Sequence, residues 1–298
     1  MLAQQLLNGL VAGSVYAMFS LGFTLIFGVQ KLLNLAHAGV FMAGAFIGYY
    51  AVVAGLPLWL ASILAMLGSG MLAAVVQVTA FRKLRGLTPQ QTEFAAIIST
   101  IGANLILISI AQRVSNTKVL RFPFGTFPIE FYHVAGLRVS LLQIIIAVVV
   151  LVMLASMVWY LFKTPFGRQV RAVAQNERAA MLLGVNPNAV YLQTFFMSGA
   201  LAGMAGVLIG LSFNSIHFLM GEPYLLKAFV IVVLGGLGSI SGCVVAGLIM
   251  GMLQTLTVAY LPSGLSDTII YGLLFVGLLI KPSGLFGSQT VIAGVGRR

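Results

Sequence analysis

Acidic residues are few in this sequence, with five Asp and Glu among 298 residues. All charged residues together make up 7%, against roughly a quarter in a soluble globular domain, and 60% of the residues are hydrophobic. This composition and a mean hydropathy of +1.08 indicate an integral membrane protein. A carrier driven by protons or sodium would have few carboxylates to work with.

Several sites of known chemistry are also missing. The single cysteine, Cys243, excludes an internal disulfide and a cysteine metal cluster, and we expect it to serve packing. The sequence has no Gly-x-x-x-x-Gly-Lys-Ser/Thr phosphate loop, so this chain does not hydrolyse ATP by that mechanism. It has no Gly-x-Ser-x-Gly, no His-Glu-x-x-His and no intramembrane Asp pair, which argues against an enzyme. We expect no metal and no cofactor on this chain.

Apolar runs of membrane length predict an all-α, polytopic helical bundle. We expect about eight or nine membrane segments: Leu6–Gly28, Leu32–Ala54, Leu58–Ala80, Phe94–Gln112, Val139–Phe162, Ala189–Phe213, Leu225–Leu237, Cys243–Tyr260 and Thr268–Ile280. Leu225–Leu237 is too short to cross at about 1.5 Å per residue. With the following Gly-Ser-Ile-Ser-Gly it predicts a broken or re-entrant element near 225–242.

The distribution of Lys and Arg predicts the orientation. One arrangement puts eleven bases on one side and four on the other, with Lys227 at the start of the broken element. This places the 164–186 loop and the C-terminus in the cytoplasm and the N-terminus outside. No base precedes Lys31 and the first apolar stretch is long, so we expect no cleavable signal peptide. The net charge of +11 is spread between apolar runs, which indicates orientation and anionic lipid rather than nucleic acid.

Glycine pairs four residues apart recur in the apolar runs and predict close helix packing. They are Gly9/Gly13, Gly44/Gly48, Gly199/Gly203, Gly206/Gly210 and Gly247/Gly251. Each pair alone is a weak signal because glycine is abundant, but together they predict a compact bundle with small-residue interfaces.

One polar, helix-compatible segment, Thr164–Asn186, interrupts the apolar runs. Thr164 and Pro165 are helix-start signals, and Gly184 and Pro187 are stop signals. On one continuous helix, one stripe holds Arg168, Arg171, Gln175 and Arg178, and the opposite side holds Phe166, Val170, Val173, Ala174 and Met181. The segment is either an interfacial anchor or a docking helix. Glu177 on the apolar side favours docking, because a carboxylate there needs a partner.

Polar residues inside the spans are candidates for a transport pathway. Asn34 and His37 are three apart and would share a helical face, with Ala38 and Gly39 leaving room for a ligand; alternatively they only bond to neighbouring helices. Glu222 and Lys227 either pair with each other or precede an irregular backbone that lines a cavity. The candidates are Asn34, His37, Gly39, Asn104, Lys227, Gly235, Gly236 and Ser239, to which Thr24, Ser99 and Thr100 could be added.

The outer connection, residues 113–138, ends in the aromatic-rich stretch Arg121–Arg138. Its aromatic residues suit an interfacial belt, and the alternative is a docking surface for a soluble partner.

Three blocks together carry a resemblance to a known family: Asn8–Phe46, Thr164–Asn186 and Lys227–Gly251. In this order and spacing they resemble the permease subunits of bacterial branched-chain amino acid ABC importers, of the LivH-like type. The likeness runs over nearly the whole chain, and it implies one importer permease domain over residues 1–298. Asn34, His37 and Gly39 match the family's Asn-x-Ala-His-Gly-like block, but Ala38 intervenes here, which leaves open whether His37 faces the pathway.

The resemblance implies a second, LivM-like permease as a hetero-dimer partner, two cytoplasmic ATPase subunits that bind ATP and Mg²⁺, and a periplasmic substrate-binding protein. It also makes the 164–186 loop the ATPase-coupling segment, with the following residues in that role: Thr164, Gly167, Arg168, Arg171, Ala172, Glu177, Arg178 and Gly184. The expected function is ATP-driven import of branched-chain amino acids by alternating access in the bacterial inner membrane. Alternatives are import of urea, amides or aromatic and other carboxylates by the same class, or a passive channel for a small polar solute.

Overall fold

A computed structural model describes residues 2–84, 88–128, 130–134, 136–262, 264–281 and 284–286. Three bases of the orientation count, Arg85, Arg297 and Arg298, lie outside the described residues. The elements are α1 (Leu2–Gln30), α2 (His37–Val53), α3 (Leu58–Val76, prolonged by π-helical and 3₁₀ turns to Leu84), α4 (Pro89–Ser115), β1 (Phe131–Val134), β2 (Leu137–Ser140), α5 (Leu141–Lys163), α6 (Pro165–Gln175), α7 (Glu177–Leu182), α8 (Pro187–Phe213), α9 (Glu222–Gly235), α10 (Ile240–Tyr260) and α11 (Leu265–Ile280).

The expected helical membrane bundle is confirmed in outline. In the described part of the chain, six helices are long and apolar enough to cross a membrane: α1, α3, α4, α5, α8 and α10. Helix α2 has only 17 residues, α9 has 14 and α11 has 16. Helix α2 is short because the chain does not become helical until His37, although its apolar run begins at Leu32.

The chain divides into two compact units. The first comprises Met1–Thr24, Ile129–Val150 and Leu226–Arg298, and the second comprises Leu25–Pro128 and Leu151–Leu225. Helices α1, α5 and α9 each contribute to both units.

The second unit is built around α8, which packs against α2 and α3. Gly44 of α2 lies on the backbone of Gly203, where a Cβ at Gly44 would come within 2.7 Å of the Gly203 carbonyl oxygen. Gly206 lies against the carbonyl of Phe41, and Gly199 against α3 at Gly70. The prediction of small-residue interfaces is confirmed here, because only glycine lets these helix backbones approach so closely.

The first unit uses the same principle between α1 and α10. Gly9 packs on Gly251 and Met252, and Gly13 packs on Gly247. Cys243 is fully buried in this interface, with its Sγ 4.0 Å from the carbonyl oxygen of Ala17. The cysteine is therefore a packed core residue, as the sequence indicates.

The expected break near 225–242 is present between α9 and α10. Gly236 and Gly238 have φ angles of 102° and 83°, in the left-handed region that favours glycine. The carbonyls at the end of α9 are used by the chain itself: Leu285 and Phe286 donate their N–H groups to Leu234 and Gly235 at 2.7 and 3.1 Å. This helix end is thereby satisfied without a ligand.

The strands β1 and β2 form an antiparallel hairpin just before α5. The Gln4 side chain of α1 holds this hairpin by accepting from the Arg138 N–H at 2.9 Å and donating to the Arg138 carbonyl at 2.8 Å. The Tyr132 hydroxyl donates to Glu130 at 2.7 Å, and this hydrogen bond raises the pKa of Tyr132. Phe131 and Tyr132 are exposed, so the aromatic face remains available to lipid or to a partner.

We predict that Gly44→Ala destabilises the protein, because the new Cβ would press on the Gly203 backbone and neither helix can yield locally. Overpacking of this kind lowers the thermal midpoint in detergent by at least about 3 °C. The matched control is Gly102→Ala on α4, where a Cβ meets nothing within 4 Å. Equal midpoints for the two variants would contradict the role assigned to the Gly44 contact.

Candidate coupling segment and substrate pathway

The candidate coupling segment, residues 164–186 and called the coupling segment below, begins with a sharp turn between α5 and α6. The Thr164 hydroxyl accepts from the Gly167 N–H at 3.1 Å and donates to the Tyr160 carbonyl at 2.6 Å. Gly167 lies directly on the carbonyls of Tyr160 and Leu161, with no room for a side chain. Thr164 and Pro165 start the helix as the sequence predicts, and Gly167 makes the turn possible.

Helix α6 is amphipathic. Val170 and Val173 are buried, Ala172 and Arg171 are half-buried, and Arg168 is exposed. The Arg171 guanidinium lies 5.0 Å from the centre of the Phe162 ring, a cation–π contact that ties α6 back to α5. Phe166, which the sequence analysis placed opposite the basic stripe, has a side chain that is 49% exposed, whereas Gly167, Val170 and Val173 are the buried residues of α6.

The prediction of a single continuous helix over 164–186 is wrong. Asn176 adopts an extended conformation with φ −156° and ψ 105°, which ends α6 and starts α7. Its Oδ1 accepts from the Ala179 N–H at 3.0 Å, and this local cap competes with a continuous helix. Glu177 is therefore the first residue of α7, half-buried, and Arg178 is exposed. The break at Asn176 therefore sets the directions of the Glu177 and Arg178 side chains relative to those of α6.

Helix α7 presents an apolar ridge that the sequence analysis did not identify. Leu182 and Leu183 are 89% and 83% exposed, and Met181, which the sequence analysis placed opposite the basic stripe, is 47% exposed. The signal available in the sequence was this apolar pair directly before the stop glycine of a polar loop. Exposed leucines at a helix end are suited to docking on another chain.

Gly184 ends α7 in a Schellman motif. Its φ is 82°, Val185 donates to the Ala180 carbonyl at 3.0 Å, and Gly184 donates to the Met181 carbonyl at 3.0 Å. Asn186 then caps α8, and both α6 and α7 pack against that helix. The coupling segment therefore packs against α8.

The structure brings four of the predicted pathway residues together in the second unit: Asn34, His37, Gly39 and Asn104. The expectation that Asn34 and His37 share a helical face is wrong, because Asn34 precedes α2. Asn34 Oδ1 accepts from the Ala36 N–H at 3.2 Å, a local turn that holds this stretch out of helical conformation. Leu35 donates its N–H to Thr100 Oγ1 of α4 at 3.2 Å.

His37 is buried where α2 meets α8. Its Nδ1 lies 3.5 Å from Ser198 Oγ, a long hydrogen bond. Gly221, the residue before α9, packs directly on the backbone of Ala38, and the rings of Phe41 and Tyr224 lie 5.1 Å apart. The starts of α2 and α9 therefore meet beside α8.

Gly39 and Asn104 join α2 to α4. A Cβ at Gly39 would lie 2.8 Å from Asn104 Oδ1 and 2.8 Å from Leu107 Cδ1. Asn104 Oδ1 is buried and has no hydrogen-bond partner among the described residues. In that same part of the chain, no group of three or more His, Cys, Asp or Glu side chains could hold a metal ion.

The other four pathway candidates belong to the first unit. Lys227 is buried, with its Nζ 5.6 Å from the centre of the Tyr16 ring. Ser239 Oγ accepts from the Gly242 N–H at 3.2 Å and caps α10. Gly235 packs on Gly242, and the Gly236 carbonyl accepts from the Ser239 N–H at 2.9 Å. Gly235 is thus the last residue of α9, and Gly236 and Ser239 lie in the turn between α9 and α10.

These features define a class: a multi-pass helical membrane protein with buried polar groups and an exposed segment between α5 and α8. A family model described as "Branched-chain amino acid transport system / permease component" matches residues 5–280. The chain belongs to this family, and it is therefore an ABC permease subunit of the inner membrane rather than an enzyme.

Two curated relatives match over nearly their whole length. The high-affinity branched-chain amino acid transport system permease protein BraD of Pseudomonas aeruginosa is 31% identical, over 97% of this chain and 96% of the relative. The corresponding LivH of Escherichia coli K12 is 28% identical over the same shares. A solved structure, PsaBC from Streptococcus pneumoniae in complex with Fab, shares the fold, with a TM-score of 0.51, 14% identity, and coverage of 94% of this chain and 92% of that one.

Gly184→Ala should loosen the end of α7, because a Cβ at φ 82° costs about 1 kcal/mol. We expect faster amide hydrogen exchange in 177–185 with the rest of the chain unchanged. Gly264→Ala is the control, since Gly264 has φ −67° and open surroundings. Unchanged exchange in α7 would contradict the capping role of Gly184.

Proposed function

We propose that this permease imports branched-chain amino acids by alternating access, driven by ATP hydrolysis on separate subunits. The support is the family description and the printed names of BraD and LivH, which share most of their length with this chain. Transport of urea, amides or other carboxylates would change the substrate and keep the class.

The coupling role rests on one observation: the exposed Leu182–Leu183 ridge stands on α8, and α8 also contacts α2 beside His37. A partner ATPase bound to α7 would displace α8 and, through α8, the start of α2. Thr164, Gly167 and Gly184 shape the segment, while Arg168, Glu177 and Arg178 offer charge-assisted contacts around the ridge. A passive channel has no use for such a ridge.

The proposed assembly contains a second, LivM-like permease, two cytoplasmic ATPase subunits that bind ATP and Mg²⁺, and a periplasmic binding protein. Helices α2, α9 and α11 would lie in the membrane with the six longer helices, giving nine segments, the upper end of the expected eight or nine. The two units would act as one permease domain, with the N-terminus periplasmic and the C-terminus cytoplasmic. The pathway candidates remain Asn34, His37, Gly39 and Asn104 in the second unit and Lys227, Gly235, Gly236 and Ser239 in the first.

Uptake of labelled leucine tests the substrate. Cells that lack their own branched-chain importer would express this chain with its neighbouring transporter genes, with phenylalanine and urea as unlabelled competitors. We expect ATP-dependent leucine uptake that disappears when this chain is deleted. Uptake of urea or an aromatic acid without leucine would refute the proposed substrate, and solute leak without ATPase subunits would favour the channel.

Substitutions in α6 and α7 test the coupling. Leu182→Asp should lower uptake at least about tenfold and release the ATPase subunits in detergent, because a desolvated carboxylate opposes apolar docking. Glu177→Ala and Arg171→Ala should lower uptake with membrane insertion retained. Gln175→Ala, exposed on the same segment, is the control and should transport normally. Normal uptake and assembly in Leu182→Asp would exclude the ridge as the dock.

A further inference from the structure

Helix α2 begins inside the protein without a cap. Its N-cap residue is Ala36, which makes no side-chain hydrogen bond to the first turn. His37, Ala38 and Gly39 of this turn are all buried. The first N–H groups of a helix have no partner within the helix, and they carry the positive end of its dipole. The His37 N–H donates to the Asn34 carbonyl at 3.4 Å, which leaves the Ala38 and Gly39 N–H groups at this buried helix start, and such a start favours an anionic group beside it.

This helix start also lies deep in the bundle. Leu35 bonds to Thr100 and Gly39 packs on Asn104, and both partners are near the midpoint of the 27-residue α4. Ser198, the partner of His37, is near the midpoint of the 27-residue α8. Long helices that cross a membrane have their midpoints near its centre, so α2 starts where transporters with interrupted helices bind their substrates.

A second, independent feature lies at the same place. Asn104 is 8% exposed, and its buried Oδ1 has no hydrogen-bond partner among the described residues. This oxygen faces Gly39 in the first turn of α2, 2.8 Å from where a Cβ would stand. A buried amide oxygen without a donor is costly, and it is suited to accept from a cationic donor. Because residue 39 is glycine, Asn104 Oδ1 and the start of α2 are close enough for one small ligand group to contact both.

We propose that the start of α2 and Asn104 form a binding site for the α-amino and α-carboxylate groups of the substrate. The carboxylate would accept from the Ala38 and Gly39 N–H groups, and the ammonium would donate to Asn104 Oδ1. Leu107, which adjoins Gly39 at the site, suits an aliphatic side chain. Gly39, Asn104 and Leu107 are in direct contact in this conformation, so the site opens when α2 and α4 separate. The inference rests on the proposed function and specifies which groups of an amino acid the permease binds.

The test uses the assembled transporter in proteoliposomes with saturating leucine-loaded binding protein, and it measures labelled leucine uptake and ATP hydrolysis together. Asn104→Leu removes the acceptor at similar size, and we expect uptake to fall at least about tenfold while stimulated ATP hydrolysis persists. Asn104→Asp keeps an acceptor for the ammonium and should retain at least about a third of wild-type uptake. Gln112→Leu, on the exposed outer end of α4, is the matched control and should transport normally.

The outcomes separate the two proposals. If the wild type shows no ATP-dependent leucine uptake, the proposed substrate is wrong and the site falls with it. If the wild type transports leucine and Asn104→Leu transports equally well, only the site is wrong. If Asn104→Asp and Asn104→Leu are equally inactive, the amide serves packing rather than ammonium binding, which also overturns the site. Loss of both uptake and ATP hydrolysis in Asn104→Leu alone would assign Asn104 to coupling instead.

Discussion

The structure depends on one constraint: backbone polar groups inside a membrane bundle need partners, because lipid offers none. The chain breaks its helices at two places within apolar sequence, and it satisfies most of the freed groups itself. Before α2, Asn34 and Thr100 accept from Ala36 and Leu35. After α9, Leu285 and Phe286 donate to the last carbonyls of that helix. In the first turn of α2 the His37 N–H donates to the Asn34 carbonyl at 3.4 Å, and the Ala38 and Gly39 N–H groups depart from this pattern, which is why we propose a site there.

Close helix packing makes these breaks possible. Gly44 and Gly203 bring α2 and α8 together at backbone distance, and Gly13 and Gly247 do the same for α1 and α10. In lipid, apolar side chains gain little from burial against one another, so van der Waals contact between backbones has to supply the association energy. Such interfaces have two sides that fit in few ways, which favours rigid movement of whole helices over local deformation.

Helix α8 joins the two functional regions of the second unit. The coupling segment packs on its first half, and Ser198 near its midpoint contacts His37 at the start of α2. Under the proposed coupling role, a displacement of Leu182 and Leu183 would reach the polar cluster through α8. Arg171 on Phe162 and Gly167 on the end of α5 tie the segment to α5, which would favour transmission of such a displacement.

The sequence by itself determined the membrane class, the glycine interfaces, the cap at Thr164, the stop at Gly184 and the break after α9, because each depends on local composition or on a residue's own backbone preference. The sequence also identified Asn34, His37 and Asn104 as polar residues in apolar runs, together with Gly39. Only the tertiary structure decided that Asn34 precedes its helix, that Asn176 divides the coupling segment and that Leu182 and Leu183 are exposed. These outcomes depend on hydrogen bonds and contacts that compete with helical periodicity, and a periodic pattern cannot show which competitor prevails.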